Sequence, residues 1–375
     1  MLSAYIHLPF CTHKCPFCDF AAFAGLSRLE DKYVDVLIDE INFKVKNIKP
    51  SLHTVSFGGG TPSLTSFDNL NKIMGVLHTK FNFTSDMEIS LEATPHSLTR
   101  EKLSQLKQLG INRLSIGVQS FNDDELKAIN RDHTSLQAVE AIDLASQSGF
   151  TNINIDLMYG LPTQDLKSFK RSFDKLMNLS MQYDAIRHFS LYGLTLEGNS
   201  PFYKTHPKLS PNYPSDDESI KMYKLANNVA PDFGFERYEI SNFAKPGYIS
   251  RHNLNYWELG EFYGFGVGSY QYINNWRSSN TKNINKYLND FKNLASHEEI
   301  TYDIKVKESI MLGLRLKEGI NLDEFHDKFN YDLTSLHSRT IDNLQRNGYI
   351  IKQSGNLSLT VKGLVVSNLV IEEFF

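Results

Sequence analysis

The chain has 375 residues, of which 41% are hydrophobic and 22% charged, and its formal net charge is −4. This composition is typical of a globular protein of two or three domains and excludes a disordered or low-complexity chain. The slight negative charge provides no broad positive field, which argues against nucleic acid as a partner.

The N-terminal segment and the later apolar runs bear on where the protein works. Residues 1–7 lack the basic region of a secretory signal, and polar residues interrupt them. The apolar run at residues 364–366 is too short to cross a bilayer. We therefore expect a cytoplasmic protein without a transmembrane segment.

Short runs with β character alternate with longer segments of helical spacing through the first half of the chain. The predicted strands are residues 4–7, 54–57, 88–91, 113–117, 152–156 and 188–191, and the predicted helices are residues 29–45, 67–77, 100–109, 136–148 and 166–179. Both ends of the third helix can be predicted, since Thr99 is a suitable N-cap and Gly110 is typical of a helix C-terminus. This alternation indicates parallel strands joined by right-handed crossovers, in an open sheet or a barrel.

Unusual residues fall at the C-terminal end of each predicted strand. They are Cys11, Gly58-Gly59-Gly60-Thr61-Pro62, Glu92, Gln119, Asp156 and Tyr192. In parallel α/β barrels this rim forms the active site, because the strand ends converge there while the loops can vary. The sequence therefore favours an incomplete, TIM-like (β/α)6 barrel over residues 1–200.

The pattern changes after the barrel. Residues 201–300 form a turn-rich connecting region, marked by Pro207, Pro211, Pro214 and Pro231. Residues 301–375 predict helices at 305–316, 322–329 and 333–347, followed by a hairpin around Ser354-Gly355-Asn356. That order resembles a winged-helix α+β domain. Its balanced charges favour a docking or lid role over DNA binding.

All three cysteines lie between residues 11 and 18, in the sequence CTHKCPFC. An odd number of cysteines without a distant partner indicates metal or redox chemistry. Three thiolates can hold a four-iron cluster and leave one iron open to an exchangeable ligand. Zinc is the alternative, but it normally takes a fourth ligand, and His13 is the only close candidate.

The spacing Cys-x3-Cys-x2-Cys resembles the motif of the radical SAM superfamily, whose open iron chelates S-adenosylmethionine (SAM). The resemblance implies that Cys11, Cys15 and Cys18 hold a [4Fe–4S] cluster. It also implies a set of SAM-binding residues: Tyr5 bordering the site, Phe17 near the adenine, Gly59, Gly60 and Thr61 at the methionine amino group, and Glu92, Gln119, Arg131 and Asp156 around the rest of SAM. Taken singly, a glycine run is also typical of a tight turn, and a lone Glu or Arg of a solvated or paired charge.

Further segments at residues 5–11, 114–121 and 154–162 resemble the oxygen-independent coproporphyrinogen oxidase family and its haem-chaperone branch, HemW. The resemblance covers nearly the whole chain. Phe20 stands where the oxidases carry another cysteine. The sequence HNLNYW at residues 252–257 matches the HNxxYW motif of the HemW branch, whose histidine is associated with haem binding.

This resemblance implies that His252 is a haem ligand and that Tyr256 and Trp257 cover a porphyrin face. The alternative for His252 is a structural histidine beside core aromatic residues. Two functions stay open: a chaperone that delivers haem to acceptor proteins such as respiratory enzymes at the membrane, and an enzyme that decarboxylates a porphyrinogen. Phe20 and the segment 252–257 favour the chaperone, with a [4Fe–4S] cluster, SAM and haem as cofactors.

Overall fold

The computed structural model describes residues 1–46, 49–196, 200, 202–203 and 213–375. Its strands, β1 to β17 in chain order, are Ser3–Leu8, Phe10–Cys11, Phe23–Ala24, Ser51–Gly59, Asn82–Ala93, Arg113–Gln119, Ile153–Tyr159, Ile186–Gly193, Glu236–Arg237, Asn242–Ala244, Phe262–Phe265, Tyr270–Ile273, Trp276–Ser279, Ser296–Glu299, Ile320–Asn321, Ile350–Gln353 and Asn356–Leu359. The α-helices described by the structure are Glu30–Lys44, Phe67–Lys80, Arg100–Gln108, Asp123–Ala128, Ser135–Gln147, Leu166–Gln182, Asp216–Val229, Arg251–Trp257, Ile284–Asn289, Tyr302–Gly313, Leu322–Phe329, Leu333–Leu336, Ser338–Arg346, Val361–Val365 and Ser367–Glu372.

The predicted barrel strands are confirmed as β1, β4, β5, β6, β7 and β8, which pair in this order and run parallel. Their side chains are largely buried because the sheet packs against the crossover helices on one side and curls around a cavity on the other. The strands do not close into a full barrel, since β8 pairs onward with β10 and β1 with β11. The incomplete (β/α)6 barrel is therefore confirmed.

The crossover helices begin where the local sequence supplies caps. The Thr99 side chain accepts a hydrogen bond from the Lys102 amide, as predicted, and Gly110 adopts the positive φ of +83° that ends this helix segment. Thr134 and Asp165 each form a capping box at the start of the next two crossover helices. The termini of these helices are thus set by local chemistry.

The region after the barrel adds strands that its turn-rich sequence did not reveal. Strand β11 pairs in parallel with β1, and β12, β13 and β14 continue the same sheet as antiparallel neighbours. At the other edge, β10 and β9 extend from β8. The connecting region therefore shares one twelve-stranded sheet with the barrel. Pro207 and Pro211 lie outside the described residues.

The C-terminal segment combines helices with a three-stranded sheet in the order β15-β17-β16. The predicted hairpin is present, and its turn residues Ser354 and Gly355 both have positive φ angles, 52° and 81°, as a two-residue hairpin turn requires. The predicted helix over 333–347 is interrupted at His337 and forms two helices instead. None of the helices in the described ranges is both long and apolar enough to cross a membrane.

Candidate functional site

One cavity of about 1000 Å³ opens at the C-terminal ends of the barrel strands. It brings together all of the residues that the sequence singled out as ligands. These are Tyr5, Cys11, Cys15, Phe17, Cys18, Gly59, Gly60, Thr61, Glu92, Gln119, Arg131, Asp156 and His252. Their distances along the chain show that the fold, rather than local sequence, assembles this set.

The cysteine loop follows β1 and lines the cavity. Cys11, Cys15 and Cys18 are free and half-buried, and all three line the cavity. Burial raises the pKa of the Cys11 thiol to about 11, although a hydrogen bond with Thr61 opposes the shift. Metal binding by Cys11 must therefore displace the proton from this thiol. Three soft ligands facing one space suit an iron–sulfur cluster.

A second segment, residues 130–133, holds the cysteine loop in place. The Thr12 hydroxyl donates to Asp132 Oδ2 at 3.1 Å, and His13 Nε2 lies 2.9 Å from the Asn130 carbonyl oxygen. Asp132 also contacts His96 Nδ1, at 3.0 Å. In this arrangement His13 faces Asn130 and Asp132, which disfavours the zinc alternative, since that needed His13 as the fourth ligand.

Asp132 is the centre of this contact, which sequence reasoning missed. Burial alone would raise the pKa of Asp132, but contacts with the imidazoles of His133 and His96 and the hydrogen bond from Thr12 outweigh it and hold the pKa well below its usual range. The carboxylate is therefore ionised and accepts these bonds at neutral pH. In the sequence, the position of Asp132 directly after the predicted ligand Arg131 was the feature that could have indicated its role.

The glycine run at the end of β4 packs against the segment that leads into the cysteine loop. A Cβ atom at Gly59 would lie 2.6 Å from the His7 ring, and one at Gly60 would lie 2.6 Å from the Pro9 backbone. Gly59 also has a φ of +119°, which side chains disfavour. Glycine is thus required by close packing between β1 and β4, and this packing leaves Gly59, Gly60 and Thr61 on the cavity wall.

Two carboxylates line the inner part of the cavity. The Glu92 side chain faces the cavity, but the surrounding protein, together with Asp156, raises the pKa of Glu92 to about 7, while the Gly59 amide partly offsets this. Burial also raises the pKa of Asp156, against hydrogen bonds from its polar neighbours. These acceptors suit a ligand that brings hydroxyl or ammonium donors.

Arg131 and Gln119 also line the cavity. Arg131 Nη2 donates to the Gly117 carbonyl at 2.7 Å, Nη1 lies 3.4 Å from Cys15 Sγ, and the buried Nε has no partner among the described residues. Gln119 has a φ of +68° at a bulge between β6 and β7. Such strained positions cluster at functional sites, where neighbouring structure holds them.

A hydrogen-bonded chain behind Asp156 was also missed from the sequence. Asn154 Nδ2 donates to Asp156 Oδ1 at 2.7 Å, so Asn154 Oδ1 faces His188 Nδ1 at 2.6 Å and accepts a hydrogen bond from its N–H. The His188 Nε2 then accepts from the Tyr238 hydroxyl at 2.9 Å. Burial keeps the pKa of His188 well below its ordinary value. A neutral, fully bonded histidine thus orients Asn154, and Asn154 orients Asp156.

His252 lies at the opposite end of the cavity from the cysteine loop. Its Nδ1 is 2.8 Å from the Thr54 hydroxyl and its Nε2 is 2.8 Å from the Tyr256 hydroxyl. Thr54 and the rim residue Gly59 share β4 and lie roughly 17 Å apart at the usual rise per residue. Burial lowers the pKa of His252 to about 3. Both ring nitrogens are therefore engaged, and Trp257 is not among the cavity-lining residues.

Comparisons with known proteins agree with this architecture. The model of the radical SAM superfamily matches residues 5–176, and that of the HemN C-terminal domain matches residues 301–366. A Bacillus subtilis protein named heme chaperone HemW is 36% identical over 100% of this chain and 99% of its own length. A Lactococcus lactis protein of the same name is 32% identical over 99% and 97%.

The chain belongs to the HemW family. Its radical SAM domain implies a [4Fe–4S] cluster and SAM as cofactors, and the donor set at the cavity fits both. Coproporphyrinogen III oxidase (HemN) from Escherichia coli has the same fold, with a TM-score of 0.86 over 100% of this chain and 89% of that enzyme, at 22% identity. The HemW fold thus includes both the barrel and the C-terminal domain.

Proposed function

We propose that this protein is a cytoplasmic haem chaperone, which binds haem and passes it to acceptor proteins such as respiratory enzymes at the membrane. The observation that carries the proposal is full-length similarity to relatives named heme chaperone HemW. Phe20, in place of the further cysteine of the oxidases, and the HNLNYW segment at residues 252–257 support the same choice.

In this proposal Cys11, Cys15 and Cys18 hold the cluster and leave one iron for SAM. When bound, the cluster supplies an open coordination position and a source of electrons. The chain's own residues orient SAM. Glu92 and Asp156 offer carboxylates to the amino and hydroxyl groups of SAM. The walls of the SAM site are formed by Tyr5, Phe17, Gly59, Gly60, Thr61, Gln119 and Arg131.

We propose His252 as the haem ligand. To bind the iron through Nε2, its imidazole must first break the hydrogen bond with the Tyr256 hydroxyl. A neutral imidazole is the form that ligates haem iron, and the lowered pKa of His252 keeps it neutral. The buried hydrogen bonds of the unliganded chain oppose this step, because breaking one inside the protein leaves a polar group unpaired.

Iron counting tests the cluster. Anaerobically reconstituted protein should carry about four irons per chain, and Cys→Ser variants at the three cysteine positions should lose them, because an alcohol is a poor ligand for iron.

Two further assays separate the chaperone from the oxidase. The wild-type protein should bind haem in a titration and leave coproporphyrinogen unconverted with a reduced cluster and SAM. Robust porphyrinogen turnover would instead support the oxidase.

A further inference from the structure

The imidazole of His252 lies between two hydroxyl groups. Its Nδ1 is 2.8 Å from Thr54 Oγ1, and its Nε2 is 2.8 Å from the Tyr256 hydroxyl oxygen. Burial keeps the ring neutral, so only one of its two nitrogens carries a hydrogen. Which nitrogen carries it decides whether Nε2 has a lone pair to offer to a metal.

A third hydroxyl group, that of Ser3, determines where this hydrogen lies. The Thr54 hydroxyl donates its single hydrogen to Ser3 Oγ at 2.8 Å. Ser3 and Thr54 are partners across the parallel strands β1 and β4, and both are fully buried. With its hydrogen committed to Ser3, Thr54 Oγ1 can only accept from His252. The ring hydrogen is therefore on Nδ1, and Nε2 holds a lone pair that accepts from the Tyr256 hydroxyl.

The backbone that carries this ring is anchored by a neighbouring strand. Glu88 on β5 is buried, and its carboxylate accepts hydrogen bonds from the Arg251 amide at 3.3 Å and from the His252 amide at 3.0 Å. Hydrogen bonds to a carboxylate are stronger than those between neutral groups. Glu88 thus holds the first turn of the helix Arg251–Trp257 against the sheet and keeps Nδ1 of His252 beside Thr54.

We propose that Thr54 is a positioning residue that fixes the Nδ1–H tautomer of His252 and so leaves Nε2 with the lone pair that binding haem iron requires. This inference rests on the proposed function, in which His252 is the haem ligand. Histidines that ligate metals donate their other ring N–H to a fixed acceptor, which sets both the tautomer and the orientation of the ring. Thr54 supplies that acceptor, and the Tyr256 hydroxyl occupies the lone pair until haem binds.

The hydroxyl groups of Thr54 and Tyr256 should therefore affect haem binding in opposite directions. Thr54 stabilises the tautomer that binds iron, whereas Tyr256 competes with iron for the lone pair of His252 Nε2. A purely structural role for both groups predicts a different result, because loss of either hydrogen bond would then disturb the same site and weaken binding.

The first test measures the tautomer without haem. It uses the full-length protein with an oxidised, anaerobically reconstituted cluster and ¹⁵N-labelled histidines. The protonated and the bare nitrogen of an imidazole give separate ¹⁵N signals, and the His252→Gln spectrum identifies the signals of His252 by their absence. The wild type should carry the hydrogen on Nδ1. In Thr54→Val the hydrogen should move to Nε2, where the Tyr256 hydroxyl oxygen can accept it, and Thr54→Ser should restore it to Nδ1.

The second test is a haem titration of the same proteins, after iron has been counted in each. Thr54→Val should weaken haem binding roughly tenfold, because the bound state would leave the Nδ1–H of His252 buried without an acceptor. Thr54→Ser should recover most of the affinity. Tyr256→Phe should bind haem several-fold more tightly, since it keeps the ring and removes the competing hydrogen bond. Thr340→Val is the control and should bind like the wild type, because Thr340 donates to the Glu373 carbonyl and lies outside the cavity lining.

A ring hydrogen on Nε2 in the wild type, or one that stays on Nδ1 in Thr54→Val, would overturn the role of Thr54. Equal losses of haem affinity in Thr54→Val and Tyr256→Phe would also overturn it, in favour of a structural role. The wild-type spectrum does not depend on Thr54→Val and is decisive even if that variant does not fold. Wild-type protein that binds no haem would instead refute the proposed function, while the tautomer measured without haem still tests Thr54 independently.

Discussion

At the scale of single residues, the fold shifts the pKa values of several side chains that line the cavity. Glu92 and Asp156 both line the cavity, and the surrounding protein raises the pKa of both carboxyl groups by partly removing them from water. Two like charges in one enclosed space oppose each other, so a ligand with positive or hydroxyl groups relieves an unfavourable arrangement. The inner cavity is thus arranged to bind a ligand at the expense of stability in the unliganded chain.

The titration of Glu92 allows this loss of folding stability to be measured. The pKa of Glu92 is about 7 in the fold against an ordinary 4.5, so between these pH values the folded chain holds a proton that the unfolded chain has released. The contribution of Glu92 to the free energy of unfolding should therefore fall as pH rises from about 4.5 to 7 and stay low above pH 7. Thermal melts of the cluster-free protein across this range measure the effect.

Glu92→Gln removes the titration while keeping an oxygen for the Gly59 amide. Its melting temperature should decline less with pH and exceed that of the wild type at pH 8. Glu299→Gln, on the exposed strand β14, is the control and should follow the wild-type profile. A parallel profile for Glu92→Gln would show that Glu92 does not titrate in this window.

At the scale of elements, the cysteine loop owes its position to a contact with residues 130–133. Thr12 and His13 both meet this segment, and Arg131 reaches Cys15. Loops carry few internal hydrogen bonds of their own, so ordering them requires partners from elsewhere in the fold. The Thr12–Cys15 part of the cysteine loop is therefore held against the barrel rim.

Asp132→Ala should loosen this loop without removing a metal ligand. Losing charge-assisted hydrogen bonds worth about 1.5–3 kcal/mol should speed the release of iron to a chelator roughly tenfold or more. The measurement is the rate of iron loss from the reconstituted protein under anaerobic conditions. Asp174→Asn, in an exposed pair with Lys170, should leave the rate unchanged. Equal rates in Asp132→Ala and the wild type would refute the role of Asp132.

At the scale of the whole molecule, the C-terminal domain is tied to the long sheet. Arg277 on β13 makes two hydrogen bonds to Glu308 on the helix Tyr302–Gly313, at 2.8 and 2.5 Å. Paired bonds between a guanidinium and a carboxylate fix both distance and orientation. Because β13 continues the sheet that forms the barrel, this pair connects the C-terminal domain to the framework of the site.

Arg277→Ala should weaken this connection by about 1–2 kcal/mol, since the pair is bidentate and partly buried. Hydrogen exchange should increase in the helix Tyr302–Gly313 while strands β4 to β7 stay protected. Lys317→Ala also removes an ion pair between the two regions, with Glu236, but an exposed single one. Its effect should be about 0.5 kcal/mol or less. Equal effects of the two variants would contradict the role given to Arg277.

The sequence by itself determined the barrel strands, the crossover helices and the cysteine motif. These features are local: burial repeats along a strand or helix, caps such as Thr99 act within one turn, and the cysteine spacing fits on one loop. The carboxylate and glycine positions could also be read, because parallel strands bring their C-terminal ends to one rim.

Only the tertiary structure decided the contacts between distant segments. The pairing of β11 with β1, the contact of Thr12 with Asp132, that of Thr54 with His252, and that of Ala21 with Gly268 each join residues far apart in the chain. No periodicity or spacing encodes such contacts, because they arise from how whole elements pack. For the same reason the sequence identified His252 and Phe20 as notable, while only the fold shows that His252 is buried in the cavity wall and that Phe20 is exposed.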